Sequence, residues 1–304
     1  MLILYLVLFL ILILFVFCYY VFKLGMCRNA SKDKVLRNKF NSASTEGRIE
    51  IVNDIQWFNK NHQEVEIKSS DGLLLKGYII NNKKNNNWVL IAHGFTSDHT
   101  YMVNRAQKFN DLGYNVLLID MRSHGKSEGK YISMGIKDSD DIKLWSEYLV
   151  KKNKAKKIVL FGISMGAGAV MMSLDNGLPK EVKCAIEDCG YTSVYEEYKY
   201  QLKNIFHLPA FPFLHICNMY ARIFAKFDFM TDSAIDSVAN SNIPLMLIHG
   251  TKDTFVPYYM LDELVNACKS EKEVLIVEGA NHTEAQYLEY DKYWKTVEKF
   301  MNKY

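Results

Sequence analysis

Short apolar runs, each separated from the next by a longer segment, constrain the fold of this 304-residue chain most. Six runs follow one another, at 88–94, 114–122, 157–164, 182–190, 243–250 and 273–279. Segments of helical length lie between most of them or follow the last, at 101–111, 136–151, 258–268 and 284–303. Strands that are apolar throughout and alternate with helices form a parallel sheet covered on both faces. The sequence therefore predicts an α/β protein with a mostly parallel central sheet.

A β-hairpin is predicted ahead of these runs. Residues 65–80 read VEIKSSDGLLLKGYII, two extended stretches around the turn pair Asp71-Gly72. Asp-Gly between apolar stretches favours a hairpin turn.

One connection is much longer than the others. About fifty residues, rich in Tyr, Phe and Leu and interrupted by Pro209 and Pro212, separate the run ending at Gly190 from the next. A structureless loop of this length is uncommon, so residues 191–242 are predicted to form a helical cap. Such a cap lies over the carboxyl edge of the sheet, where open α/β folds bind ligands. Its aromatic residues serve either packing alone or ligand contact.

The first 22 residues, MLILYLVLFLILILFVFCYYVF, carry no charge and are long enough to cross about 30 Å of hydrocarbon as a helix. A secretory signal would show a basic leader, a shorter apolar region and small residues for cleavage. We therefore expect an uncleaved transmembrane anchor at 1–22, a basic juxtamembrane linker at 23–53 and an α/β domain at 54–304.

The linker sets the expected topology. Between Lys23 and Lys39 it holds six basic residues and one acidic residue, while the whole chain has a net charge of +3. Positive flanks stay in the cytoplasm. The sequence predicts a single-pass protein of the cell membrane with its α/β domain on the cytoplasmic side, and basic residues that also favour anionic lipid. Nothing in the charge pattern suggests a nucleic-acid partner.

The cysteines indicate neither a metal site nor a disulfide framework. The six, at positions 18, 27, 184, 189, 217 and 268, form no C-x-x-C pair and have no histidine at metal-ligand spacing. Reduced thiols agree with a cytoplasmic domain.

Candidate chemistry begins at Ser164, in the stretch FGISMGAG. Gly-x-Ser-x-Gly alone is weak evidence, but here it follows a predicted strand and precedes a predicted helix, as a nucleophile elbow does. Gly162 and Gly166 keep side chains out of the crowded turn. A phosphate-binding turn would need a different glycine spacing, so Ser164 is the predicted nucleophile.

A serine nucleophile needs a base, most often histidine. Of the eight histidines, three precede glycine just after a strand, where a structural role is expected: His93, His124 and His249. His282 lies in GANHTEA, between the last apolar run and the terminal helix, where a loop can hold it over the elbow.

The base in turn needs a carboxylate, and two are candidates. Asp253 follows the preceding strand, giving the chain order Ser, Asp, His that one known fold uses. Asp188 ends the run at 182–190 and is the competing acid, but Asp253 is favoured. The backbone N–H groups of Phe95 and Met165 are the candidate oxyanion donors.

The strings AHGFTSD, LLIDMRSHGKSEG, FGISMGAG, HGTKDTFVP and GANH, in this order, resemble the α/β-hydrolase superfamily, and within it the membrane-anchored or lipid-associated Bem46 and FrsA-like serine hydrolases. The similarity runs from about Asp54 to the carboxyl terminus. It implies the α/β-hydrolase fold, a Ser164–Asp253–His282 triad and oxyanion donors at Phe95 and Met165. It also implies a structural role for Asp120, Arg122, His124 and Gly125.

The expected activity is hydrolysis of acyl esters through an acyl-enzyme, with no cofactor or metal. The anchor and aromatic cap favour a hydrophobic or lipid-like small-molecule substrate. A serine peptidase, a thioesterase or an acyltransferase of the same fold remain alternatives, as does a catalytically silent membrane-tethered binding protein. Oligomeric state is left open.

Overall fold

The computed structural model describes residues 1–28, 54–82 and 85–304. An eight-stranded sheet runs through the centre in the order β1-β2-β4-β3-β5-β6-β7-β8. The strands are β1 (His62–Lys68), β2 (Leu74–Ile80), β3 (Asn87–Ala92), β4 (Asn115–Ile119), β5 (Lys157–Ile163), β6 (Val182–Asp188), β7 (Leu245–Gly250) and β8 (Lys272–Val277). All six predicted apolar runs contain a strand.

Strand direction follows the predicted pattern. β1 and β2 pair antiparallel, with Lys68 opposite Leu74, so the predicted hairpin is confirmed. β2 is also antiparallel to β4, and every pair from β4 to β8 is parallel. The sheet is therefore mostly parallel, as predicted.

The strand order reverses direction at β3. From β3 the chain moves to β4 on one side and then returns to β5 on the other. Loops that leave the carboxyl ends of β3 and β5 therefore diverge and open a crevice between them, the usual ligand site of an open α/β sheet.

Helices cover both faces of the sheet. The core helices are α2 (Ile55–Asn61), α3 (Val103–Asp111), α4 (Ile136–Asn153), α5 (Met165–Ser173), α9 (Tyr259–Ala267), α10 (Ala285–Leu288) and α11 (Tyr290–Lys303). One buried cluster contains Trp145 of α4 and Met171 of α5. A second, on the other face, contains Phe109 of α3 and Trp294 of α11. The fully apolar strands are buried because both faces are packed.

The long connection between β6 and β7 is helical, as expected. It contains α6 (Val194–Phe206), α7 (Phe213–Tyr220), a π-helical turn (Ala221–Ala225) and α8 (Ala234–Asn240). We call these elements the cap.

The amino-terminal segment is one long helix, α1 (Leu2–Met26), which continues four residues past the predicted end of the anchor. Among the described helices it is the one long and apolar enough to cross a membrane. Its first half is exposed, whereas its second half packs against α7. The predicted juxtamembrane linker, with its basic residues at positions 32–39, lies mostly outside the described residues.

Candidate active site

Ser164 occupies a sharp turn between β5 and α5. Its backbone adopts φ 55° and ψ −118°, a conformation that non-glycine residues rarely take and that marks stored strain. Its N–H donates to the Asp188 carbonyl at 2.8 Å, which ties the turn to the neighbouring strand β6. The hydroxyl is thereby raised at the carboxyl edge of the sheet.

The glycines beside Ser164 are required by close backbone contacts. A Cβ on Gly162 would lie 2.2 Å from the Gly166 carbonyl oxygen, and one on Gly166 would lie 2.2 Å from the Ala92 carbonyl oxygen. Both distances are far inside van der Waals contact, so strand, turn and helix meet this closely only without side chains at these positions.

His282 lies beside Ser164, although 118 residues separate them in the chain. Its Nε2 is 2.8 Å from Ser164 Oγ, and its Nδ1 is 2.7 Å from Asp253 Oδ2. With the ring proton on Nδ1, the imidazole donates to Asp253 and accepts the serine hydroxyl proton. The structure thus brings the three predicted triad residues into one chain of hydrogen bonds.

Asp253 is fixed by the turn that follows β7. Its Oδ1 accepts the N–H groups of Phe255 and Val256, each at 2.9 Å. Burial by itself raises the pKa of Asp253, but the imidazoles of His282 and His249 outweigh it and hold that pKa well below its usual range. The carboxylate therefore stays ionised and stabilises a positive charge on His282.

Asp188, the competing acid, has another partner. Its Oδ2 accepts the Tyr293 hydroxyl at 2.8 Å on the α11 side of the sheet. Burial raises the pKa of Asp188, which favours its neutral form. The His282 ring is hydrogen-bonded to Asp253 and not to Asp188.

The three histidines of the His-Gly pairs make contacts that hold loops. His124 Nδ1 lies 3.0 Å from the Arg122 carbonyl oxygen. His93 Nδ1–H donates to the Gly94 carbonyl, while its Nε2 accepts the Met121 N–H. His249 is fully buried, with Nε2 2.9 Å from the Val256 carbonyl and 3.4 Å from Asp253. His249 thus supports the Asp253 turn, a contact that the sequence pattern did not reveal.

The predicted oxyanion donors lie on either side of Ser164. Met165 is the first residue of α5, and first-turn N–H groups have no acceptor within their own helix. On the other side, a Cβ on Gly94 would lie 3.8 Å from Ser164 Oγ. Gly94 therefore lies beside the Ser164 side chain, and Phe95 follows it in the chain. The role of the Phe95 and Met165 N–H groups as oxyanion donors stays a prediction.

The segment that begins at Asp120 supports the loops around the site. Asp120 accepts the Tyr78 hydroxyl, the N–H and the imidazole of His99, and the Lys126 N–H. Arg122 forms two 2.8 Å hydrogen bonds with the buried carboxylate of Asp141. These contacts agree with the structural role implied for this motif.

Cys189 lies close to the triad. Its sulfur, one carboxylate oxygen of Asp253 and one imidazole nitrogen of His282 lie within 4.8 Å of one another, a spacing that metal ligands share. Burial and the nearby acidic groups raise the pKa of Cys189 well above its usual value. Both ring nitrogens of His282 and Oδ2 of Asp253 are already engaged in the hydrogen bonds that join Ser164, His282 and Asp253, so the arrangement fits a triad better than a metal site.

An apolar cavity adjoins the triad. Its volume is about 100 Å³, and it opens to solvent on one side. Its walls come from α1, from the connection between β6 and β7 and from three other loop residues: Val21, Phe22, Leu24, Gly25, Met26, Phe95, Met134, Glu197, Tyr198, Gln201, Leu202, Ile205, Phe206, Leu214, Cys217, Phe229 and Phe255. No sequence signal placed α1 in this wall.

Comparison with known families and proteins supports a hydrolase. Residues 83–188, which include Ser164 but neither Asp253 nor His282, match the family described as serine aminopeptidase, S33. The chain is 28% identical over 237 residues to an uncharacterised protein, YqkD, of Bacillus subtilis, covering 78% of each chain. It is 25% identical over 239 residues to the protein Bem46 of Schizosaccharomyces pombe, covering 76% of this chain and 74% of Bem46.

A solved structure shares the fold. The esterase Pf2001 of Pyrococcus furiosus superposes with a TM-score of 0.67 at 25% identity, covering 84% of this chain and 98% of the esterase.

Proposed function

The chain is an α/β-hydrolase similar to Bem46, and we propose that it is a serine esterase that cleaves hydrophobic or lipid-like acyl esters. One observation carries the proposal: Ser164 Oγ, His282 and Asp253 form a continuous chain of hydrogen bonds of 2.8 and 2.7 Å. Together with the strained Ser164 backbone, this is the arrangement that activates a serine hydroxyl.

The reaction follows from the contacts. His282 Nε2 takes the hydroxyl proton as Ser164 Oγ attacks the acyl carbonyl, and the Asp253 carboxylate stabilises the resulting imidazolium. The carbonyl oxygen becomes negative and is bound by the Phe95 and Met165 N–H groups, each worth about 3 to 4 kcal/mol in comparable sites. His282 then protonates the leaving alcohol. Water, activated by the same imidazole, hydrolyses the acyl-enzyme.

An ester fits the cavity better than a peptide amino terminus does. The family description names a serine aminopeptidase, which makes a peptidase the second candidate. A free ammonium group needs an ionised carboxylate, and Glu197 is the one acidic residue among those lining the cavity. Burial raises the pKa of Glu197 to about 8, so it is mostly neutral at pH 7. The remaining wall is mainly apolar and suits an acyl chain, in keeping with the esterase named in the structural comparison.

A membrane location is part of the proposal. Helix α1 is 25 residues long with a mean hydropathy of 3.2 in its most apolar part. We infer a single-pass anchor with the hydrolase domain in the cytoplasm, because basic residues follow the helix. Protease treatment of intact cells tests the orientation: the domain should resist digestion until the cells are opened, and digestion from outside would refute it.

Labelling with a fluorophosphonate probe tests the enzymatic proposal. The wild-type chain should label and Ser164→Ala should not, with folding of both checked by thermal unfolding. A panel of acyl esters, thioesters and aminoacyl anilides then separates the candidate activities, and esters are expected to react fastest. A folded wild-type chain that does not label would contradict the nucleophile assignment and favour a binding protein. Faster cleavage of aminoacyl anilides would favour the peptidase.

A further inference from the structure

The second half of α1 forms one wall of the cavity beside the triad. Five consecutive or nearly consecutive residues of α1 line it: Val21, Phe22, Leu24, Gly25 and Met26. The facing wall is formed by α6 and α7 of the cap. A helix that only attached the domain to the membrane would not need to line a ligand cavity.

The end of α1 is held firmly against the hydrolase domain. The Ile132 N–H donates to the Met26 carbonyl at 2.8 Å, and the Arg28 N–H donates to the Lys130 carbonyl at 3.1 Å. The Arg28 guanidinium also donates to the carbonyls of Ser127 and Gly125. Because these bonds join main chain to main chain or to a cation, the wall has a fixed position relative to the triad.

Aromatic contacts join α1 to the cap. The Phe17 ring packs edge-on against Phe206 and Phe213, with centroids 6.0 and 5.9 Å away. The Tyr220 hydroxyl donates to the Phe15 carbonyl at 3.1 Å. The cap and α1 therefore form one packed unit around the cavity.

The cavity lies next to the triad, because two of its lining residues neighbour triad residues. Phe95, which follows Gly94 beside Ser164, forms part of its lining. So does Phe255, whose ring centroid lies 4.8 Å from that of His282. An acyl group on Ser164 thus has an apolar space next to it, which runs towards α1.

The length of α1 places this unit at the membrane. The exposed stretch Leu2–Ile13 extends only about 18 Å at 1.5 Å per residue, against about 30 Å of hydrocarbon. If α1 spans the bilayer, the part of α1 that packs on the cap must cross the remaining thickness of the hydrocarbon. The cap carries matching exposed apolar side chains, Met219, Ile223 and Phe224, in and just after α7.

We propose that the last turns of α1 and the cap together form the acyl-chain subsite, and that it takes the long acyl chains of membrane lipids. This inference rests on the proposed esterase function. It makes α1 a determinant of chain-length specificity as well as an anchor.

Paired substitutions on two faces of α1 test the subsite in the full chain, in detergent or lipid nanodiscs. Val21→Trp fills the cavity and Val21→Ala widens it. The matched controls Val16→Trp and Val16→Ala change a side chain that is 61% exposed on the same helix. The measurement is kcat/KM for butanoyl, octanoyl, dodecanoyl and hexadecanoyl esters, normalised to the fraction that labels with fluorophosphonate.

We expect Val21→Trp to lower kcat/KM for hexadecanoyl relative to butanoyl esters by about 10-fold or more, because steric loss of one or a few methylene sites has this size. Val21→Ala should leave kcat/KM for hexadecanoyl esters at or above the wild-type value. Both Val16 variants should have the wild-type chain-length profile. Superimposable profiles for Val21→Trp and the wild type, or an equal shift in Val16→Trp, would overturn the inference.

A second measurement separates this inference from the proposed function. A palmitate that carries a photoreactive diazirine is cross-linked to the Ser164→Ala chain, where no hydrolysis occurs. Modification at 21–26 of α1 and at α6, lost in a Ser164→Ala chain that also carries Val21→Trp, supports the subsite even if the wild type hydrolyses no ester. Modification confined to the exposed half of α1 refutes the subsite whether or not the enzyme is active.

Discussion

Glu197 provides a test of the electrostatics around the cavity through the pH dependence of stability. The side chain is 1% exposed; Oε1 accepts the Gln201 amide at 2.9 Å, and no described residue pairs with Oε2. Burial, with a smaller contribution from the nearby Asp253 carboxylate, raises its pKa from an ordinary 4.5 to about 8. Glu197→Gln has the same shape but no proton to lose, so it isolates the cost of ionisation.

The direction of the pKa shift of Glu197 decides whether stability rises or falls with pH. The unfolded chain ionises near pH 4.5 and the folded chain near pH 8, so the unfolded chain binds fewer protons between these values. The free energy of unfolding of the wild type therefore falls as pH rises through this window. The Gln variant has no group that ionises at this position, so its free energy of unfolding lacks this decrease. At about 1.4 kcal/mol per pKa unit, the difference between the two chains should grow by about 3 to 4 kcal/mol from pH 5 to pH 8.

Thermal unfolding of the full chain in detergent at pH 5 and pH 8 measures this difference. The ionisation of other buried acids changes the Tm of both chains alike, so it cancels in the Tm difference between them. Glu197→Gln should gain ~6 °C or more in Tm over the wild type on going from pH 5 to pH 8. Glu196→Gln, which removes an exposed carboxylate on the same helix, should gain almost nothing. A constant Tm difference between wild type and Glu197→Gln at both pH values would refute a neutral, buried Glu197.

Three further predictions concern the acid, the elbow and the membrane surface. Asp253→Asn should lower kcat by about 10⁴-fold with little change in Tm, and a loss under 10-fold would assign the acid elsewhere. Gly166→Ala places a Cβ 2.2 Å from the Ala92 carbonyl oxygen and should cost ~3 kcal/mol or more, read as a fall in Tm; an unchanged Tm would contradict the packing of the elbow. The fluorescence of Phe224→Trp should be quenched by brominated lipids and that of Ile276→Trp, on edge strand β8, should not; equal quenching would argue against immersion of the cap.

The sequence predicted the sheet well because its signals are local. Each predicted apolar run contains a strand, and the segment 258–268 forms α9 at Tyr259–Ala267. The predicted ends of helices were less exact where tertiary contacts decide them. The predicted helix at 284–303 is two helices, since Glu289 departs from helical geometry with φ −126° and ψ 53°. No glycine or proline marks that break in the sequence.

The candidate site could be assembled from sequence only as a list of residues. Strand-to-turn patterns located Ser164, Asp253 and His282, because each follows a strand and the carboxyl ends of parallel strands share one edge of the sheet. Chain order already favoured Asp253 over Asp188, but the 2.8 and 2.7 Å contacts of His282, and the pairing of Asp188 with Tyr293, came from the packing of loops far apart in the chain.

By itself the sequence determined the strands, the elbow and a helix long enough to be an anchor, because period, turn chemistry and length are properties of neighbouring residues. Only the tertiary structure decided that α1 lies against the cap and closes the cavity. The helix is apolar on every side, so lipid and protein satisfy its side chains equally well and no pattern marks the face that packs. That choice depends on contacts such as Cys18 with Cys217, 199 residues apart, which no local pattern encodes.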